Sequence, residues 1–286
     1  MKRFALLAAC GILIPLAFAA EPGRGFSVQP GGLLLQDIAP GQAYDLSSTR
    51  GLWLTIQNTD NQPHEFAVTT HRPSQLASGQ WLEGYEEIPD PAWLSFEPAS
   101  VRVEAGSVGR VKMRLGVPEG DAHYNRHWTV GIAVRLESEP GHTLSFAMYP
   151  RYQIETAPRA KSPSVGAPVF SVFPSTVTLA PSANGGYEGS FSIMNGPQSA
   201  RYTIAPRAIV TDPQREQIHP STGFQWLSSV DEVRVTPGEI SLDTAGFHTV
   251  NIRIPHSEGQ TARECLIFIQ PGEGRPQFVR ARLPAE

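Results

Sequence analysis

"WLSFEPASVRVEAGSVGRVKMRLGVP" (Trp93–Pro118) and "WLSSVDEVRVTPGEISLDTAGFHTVNIRIP" (Trp226–Pro255) are two versions of one phrase in a chain of 286 residues. Each opens on Trp-Leu-Ser, passes a proline and a glycine, and ends in alternating apolar residues before a second proline. In the first copy Val111, Met113, Leu115 and Val117 alternate with Lys112, Arg114 and Gly116. In the second, Val250, Ile252 and Ile254 alternate with Asn251 and Arg253. A period of two is that of a strand with one buried face. The glycine of each "x-P-x-x-V-x-V-x-x-G" segment predicts a tight reversal, with the next strand returning as a hairpin.

The echo extends outward. "FSVQP" (Phe26–Pro30) returns as "FSVFP" (Phe170–Pro174), and other alternating runs are "GLWLTIQN" (Gly51–Asn58), "HWTVGIAVRL" (His127–Leu136) and the stretch from Tyr187 to Ile193. Near-constant offsets over several landmarks mean tandem modules. The run "TAPRAKSPSVGAP" (Thr156–Pro168) between them reads as a semi-extended linker. With 26 Gly and 26 Pro and no long helical stripe, the chain is expected to be all-β. It should form two tandem β-sandwich domains, 22–157 and 169–286, joined by a linker over 158–168.

The first twenty residues have an export pattern: Lys2 and Arg3, an apolar run from Phe4 to Phe18, and a small-x-small site at Ala17 and Ala19. A signal peptide over 1–19 and a periplasmic or secreted product are expected. A rival lipoprotein reading uses Leu7-Ala8-Ala9-Cys10. Of the two cysteines only Cys265 survives cleavage, so no internal disulfide is expected, and its apolar surroundings suggest a buried thiol. A net charge of −4 gives no basic field to attract nucleic acid or anionic lipid.

The order "F-x-V-x-P", then a strand ending in Asn58, then "P-x-x-x-x-V-x-x-G", resembles bacterial immunoglobulin-like modules. The same grammar occurs in secreted modules that bind cell-wall partners and in periplasmic pilus-assembly chaperones. What the resemblance implies is a non-enzymatic protein that binds a partner polypeptide. In the chaperone form, the last strand of the first domain completes a client that lacks one. That strand corresponds to "TLSFAMYPRYQIE" (Thr143–Glu155), where Pro150 suggests an edge. The implied partner-binding residues are Met148, Tyr149, Arg151 and Tyr152. Arg24 and Arg151 are the nearest matches to the basic residues with which that family anchors a client's terminal carboxylate. A blunted edge with no client is the alternative.

A second candidate is the insert "HRPSQLASGQWLEGYEEIPDPAW" (His71–Trp93), where Trp81, Tyr85, Glu86 and Glu87 could meet glycan or another envelope component. The alternative is that Trp81 caps the sandwich and the acids are solvated. Asp121, His123 and His127 offer metal-ligand types, but His123 and His127 are too far apart on an extended chain to share an ion. A turn could bring them together, yet no third ligand is indicated, so the stretch reads as a solvated turn and no metal or cofactor is expected. The chain carries no G-x-S-x-G, H-E-x-x-H, phosphate loop or paired C-x-x-C, so it is not expected to be an enzyme.

Overall fold

The computed structural model describes residues 25–76, 82–137, 146–161, 170–183, 185–209, 218–255 and 261–285. The first module supplies β1 (Phe26–Gln29), β2 (Gly32–Ile38), β3 (Ala43–Asp45), β4 (Trp53–Asn58), β5 (His64–His71) and β6 (Glu86–Glu87). It continues with β7 (Leu94–Glu97), β8 (Ser100–Val103), β9 (Val108–Gly116), β10 (His127–Leu136), β11 (Ala147–Met148) and β12 (Arg151–Thr156). One sheet runs β1-β4-β9-β3 with β7 against β9; the other runs β2-β12-β10-β5-β8, with β6 and β11 also on β10.

The second module repeats the plan. Its strands are β13 (Phe170–Phe173), β14 (Thr176–Thr178), β15 (Ala180–Pro181), β16 (Tyr187–Asn195), β17 (Ala200–Arg207) and β18 (Gln225–Trp226), then β19 (Arg234–Thr236), β20 (Glu239–Leu242), β21 (Phe247–Ile254), β22 (Arg263–Pro271) and β23 (Gln277–Leu283). Its sheets run β13-β16-β21-β19 and β14-β23-β22-β17-β20. Each sandwich therefore has its own core. Leu54, Ile56, Val111, Met113, Val130, Ile132 and Ile154 are buried in the first; Phe191, Ile193, Val250, Ile252, Ile267 and Val279 in the second. The chain is thus two tandem immunoglobulin-like β-sandwiches, and the alternating residues face inward as their period requires.

The expected hairpin is an arch. β8 pairs with β5 in one sheet, whereas β9 pairs with β4 in the other, so the chain crosses the core between them. β20 and β21 do the same. A crossing leaves carbonyls without ladder partners, and a buried asparagine takes them in each module. Asn58 Nδ2 donates to the carbonyls of Gln62, Val103 and Glu104 at 2.7, 3.1 and 3.3 Å. Asn195 Nδ2 donates to those of Gln198, Leu242 and Asp243 at 2.6, 3.0 and 2.9 Å.

Candidate functional site

Two places stand out: a sealed polar junction between the sandwiches and an open edge on the first. The junction is centred on Arg280 of β23, which is fully buried. Its guanidinium forks onto Glu155 of β12, Nε to Oε2 at 2.7 Å and Nη2 to Oε1 at 2.6 Å, and its Nη1 donates to Glu264 Oε1 at 2.7 Å. The Tyr85 hydroxyl also donates to Glu155 Oε1, and Gln36 Nε2 donates to Oε2 at 2.8 Å. Glu155 thus accepts four hydrogen bonds, which satisfies its carboxylate. Glu264 takes the backbone N–H and hydroxyl of Ser221, each at 2.6 Å, and pairs with Arg282 at 3.5 Å. Two carboxylates face two guanidiniums, so the buried cluster is neutral, as burial demands.

Burial alone would raise the Glu155 carboxyl; the Arg280 guanidinium, its hydrogen bonds and Gln36 outweigh this and hold it at about 2. Arg280 is lowered by burial but raised more by Glu155, and stays charged. Burial pushes Tyr85 well above the usual phenol range.

The insert closes this junction. Tyr85, Ile218, Leu266, Phe268 and Phe278 form an apolar cluster that joins the sandwiches. Tyr85 lies 5.5 Å from Phe278 by ring centroid. Gly84 sits at φ +85, where an added Cβ would come within 2.5 Å of the Phe278 ring, so glycine permits the close approach. Glu83 pairs with Arg207 at the rim at 2.5 Å, and Glu86 accepts from Gln277 at 3.2 Å. Asn125 adds a second tie: its Oδ1 accepts the N–H groups of Arg159 and Ser175, each at 2.9 Å. The expected linker is therefore held at Arg159, which also pairs with Asp121.

Several expectations change accordingly. Tyr85 is 2% exposed and engaged with the second sandwich, so it offers no platform to a glycan. Glu87 is committed locally, accepting from the Ser74 N–H at 2.6 Å. Trp81 and Arg24 lie outside the described residues. His127 is no part of a solvated turn: it is buried and its ring stacks on Phe278 at 4.0 Å and 7°. Among the described residues no cluster of metal-ligating side chains occurs. Cys265 is buried, which pushes its thiol up to about 12.

The last strand of the first sandwich is divided. β12 lies between β2 and β10, so its backbone is used on both sides, and Tyr152 is wholly buried in the core. Neither supports the expected lending of Arg151–Glu155 to a client. β11 differs. Leu136 and Ile132 donate to the carbonyls of Phe146 and Pro150 at 3.0 and 2.9 Å, so the backbone groups of Ala147 and Tyr149 point the other way. There, among the described residues, no strand lies against them. Pro150 faces β10, so its missing N–H blunts the inner side and leaves the outer one intact. Phe146, Met148 and Tyr149 are 60, 38 and 36% exposed, three of the five exposed large hydrophobics among the described residues. By strand alternation Phe146 and Met148 continue the face on which Tyr152 and Ile154 enter the core.

No protein-family model matches the chain, and no curated protein matches it. Solved structures similar to it include a protein of unknown function from Porphyromonas gingivalis W83, 12% identical over 91% of this chain and 99% of that one, with a TM-score of 0.34. The E. coli chaperone DraB is 11% identical over 90% and 98%, with a TM-score of 0.32. The Salmonella enterica complex of SafA pilin with the SafB chaperone gives 13% over 89% and 95%, with a TM-score of 0.30. No helix among the described residues is long and apolar enough to cross a membrane.

Proposed function

We propose that the chain is an exported, non-enzymatic binding protein that captures a partner polypeptide along β11, as a periplasmic chaperone of pilus or surface-fibre subunits. One observation carries this reading: a strand edge with outward backbone groups at Ala147 and Tyr149, flanked by exposed Phe146, Met148 and Tyr149. Unpaired edges rich in apolar residues invite strand addition, and natural sheets otherwise blunt them with charge. Phe146 and Met148 lie on the core-facing side but outrun their own core, so an added strand would bring its domain's apolar interior against them.

The duplication supplies a second line of support. Arg151 N donates to the Gly31 carbonyl at 3.2 Å and Arg280 N to the Ser175 carbonyl at 2.9 Å, so Tyr149-Pro150-Arg151 and Phe278-Val279-Arg280 occupy equivalent places. In the second module this aromatic-x-Arg pair takes an aromatic ring and a carboxylate, Tyr85 and Glu155. In the first, the same pair borders the open edge. A client strand parallel to β11 would end beside Gly31 with its terminal carboxylate toward Arg151.

The test is capture by the processed protein from an envelope extract. Ala147→Pro deletes an outward N–H and spares the bonds to β10; Phe146→Asp puts charge on the apolar ledge. Both should lose the captured polypeptide and keep the native circular dichroism. Equal capture by wild type and both variants would remove this mechanism.

A further inference from the structure

The sandwiches keep separate cores, and what joins them is a small apolar cluster around a buried ionic network. Parting the domains would therefore expose the junction and leave both cores intact. Within the junction one group has no charge at neutral pH but can gain one. The His127 imidazole lies flat on Phe278 of the opposite sandwich, 4.0 Å between centroids, and the residue is buried.

We infer that the His127–Phe278 contact is an acid-released latch, which holds the two sandwiches together at neutral pH and lets them part as pH falls. Every charged element near the ring bears on this. Glu155 on β12 favours the imidazolium, whereas Arg280 on β23 and Arg126, just before β10, oppose it. Glu86 on β6 lies 4.0 Å from the Arg126 guanidinium, Tyr85 is bound to Glu155, and Glu264 is spent on Arg280. With Glu155 already neutralised by Arg280, the site has no spare anion for a second cation. Burial accordingly holds His127 at about 4, from an ordinary 6.5.

The sign follows from linkage. In the parted form the ring meets water and binds a proton near its ordinary pKa; in the docked form it does not. Parting therefore takes up a proton, and the ratio of parted to docked protein rises up to tenfold per pH unit between 6.5 and about 4, roughly 300-fold in all. Docking is fully supported above 6.5 and weakens below it.

The experiment uses the processed chain with donor and acceptor dyes at Val108→Cys and Phe247→Cys, both exposed positions on different sandwiches, while Cys265 stays buried. Urea titrations from pH 7.5 to 4 follow transfer efficiency for parting and circular dichroism for sheet loss. In the wild type the urea midpoint for parting should fall across this window, ahead of sheet loss. His127→Phe keeps the stack without a titrating group, so its midpoint should stay level down to about pH 4.5, where Glu155 begins to matter. Equal falls in both proteins would overturn the latch. Should the variant misfold, the wild-type His127 ring can be titrated by NMR: protonation near pH 4 in the docked form supports the proposal and protonation near 6.5 refutes it.

Discussion

Replacing Arg280 with Met probes the junction most directly. The substitution keeps a long apolar stem and removes the guanidinium that three hydrogen bonds place on Glu155 and Glu264. Glu155 sits at about 2 against an ordinary 4.5, a difference of about 2.5 pH units. At about 1.4 kcal/mol per unit, the surroundings of its charge contribute about 3–4 kcal/mol at neutral pH. Because the folded value is depressed, that contribution is complete above about pH 4.5 and drains away as pH falls toward 2. Removing the cation leaves Glu155 without its guanidinium while Glu264 keeps Arg282 and Ser221, and a buried pair broken on one side costs about 3–5 kcal/mol. The assay is equilibrium urea unfolding at pH 7, read by tryptophan fluorescence and circular dichroism. Since each sandwich has its own core, the variant should unfold in two steps, with domain coupling lowered by about 3–5 kcal/mol. Adding Glu155→Gln to the Arg280→Met protein should restore part of the loss, because it takes away the unpaired charge. A loss below about 1 kcal/mol, with one transition retained, would refute the view that this cluster couples the domains.

Three further outcomes are expected. Gly84→Ala, which forces a Cβ against the Phe278 ring at positive φ, should weaken docking by about 2 kcal/mol or more in the same urea assay. Tyr85→Phe loses one hydrogen bond to a carboxylate and should cost about 1.5–3 kcal/mol of domain coupling, with both sandwiches still folded by circular dichroism. Asn58→Ala and Asn195→Ala each remove the side-chain donor from three carbonyls, of which Glu104 and Asp243 keep a backbone donor in Ser107 and Gly246. Each should destabilise only its own sandwich, by about 1–3 kcal/mol; amide exchange at residues 103–107 in one case and 242–246 in the other reports which arch has opened.

The sandwiches were legible because period-two alternation is a local signal: Val111, Met113 and Leu115 show their buried face without any partner in view. The duplicated phrase doubled that signal. The arch was misread as a hairpin because Gly106 states that the chain turns but not which sheet receives it; that is decided by β5 and β4, about 40 to 50 positions upstream. The junction was illegible for a related reason. Glu155, Arg280 and Glu264 are spread over 125 residues and none has a motif around it. Tyr85 among acids looked like a loop for ligands because its cover, Phe278, comes from the other domain. A signal was nonetheless present in "MYPRYQI" and "QFVRARL": an aromatic two residues before an arginine, in the last strand of both modules.

That shared pair explains why one module is closed and the other open. β14 meets β23 only from Arg280 onward, which leaves the first residues of β23 unpaired on that side, and β2 meets β12 only from Arg151 onward, which leaves the preceding β11 unpaired there, among the described residues. In the second sandwich the shortfall is covered: Gln277 reaches the Phe170 carbonyl at 3.3 Å, and Phe278 lies under Tyr85 and His127 at 1% exposure. The cover is the first sandwich itself. In the first sandwich Tyr149, at the position of Phe278, is 36% exposed. A fold duplicated in tandem thus uses an equivalent strand end twice, once to bind its own neighbour and once, on our reading, to bind a guest. The two uses call for the same chemistry, an apolar group for the ring and a carboxylate for the arginine. Exchanging Tyr149 and Arg151 for Ser and Gln should therefore abolish capture and leave domain docking untouched, whereas changing Phe278 and Arg280 should release docking first.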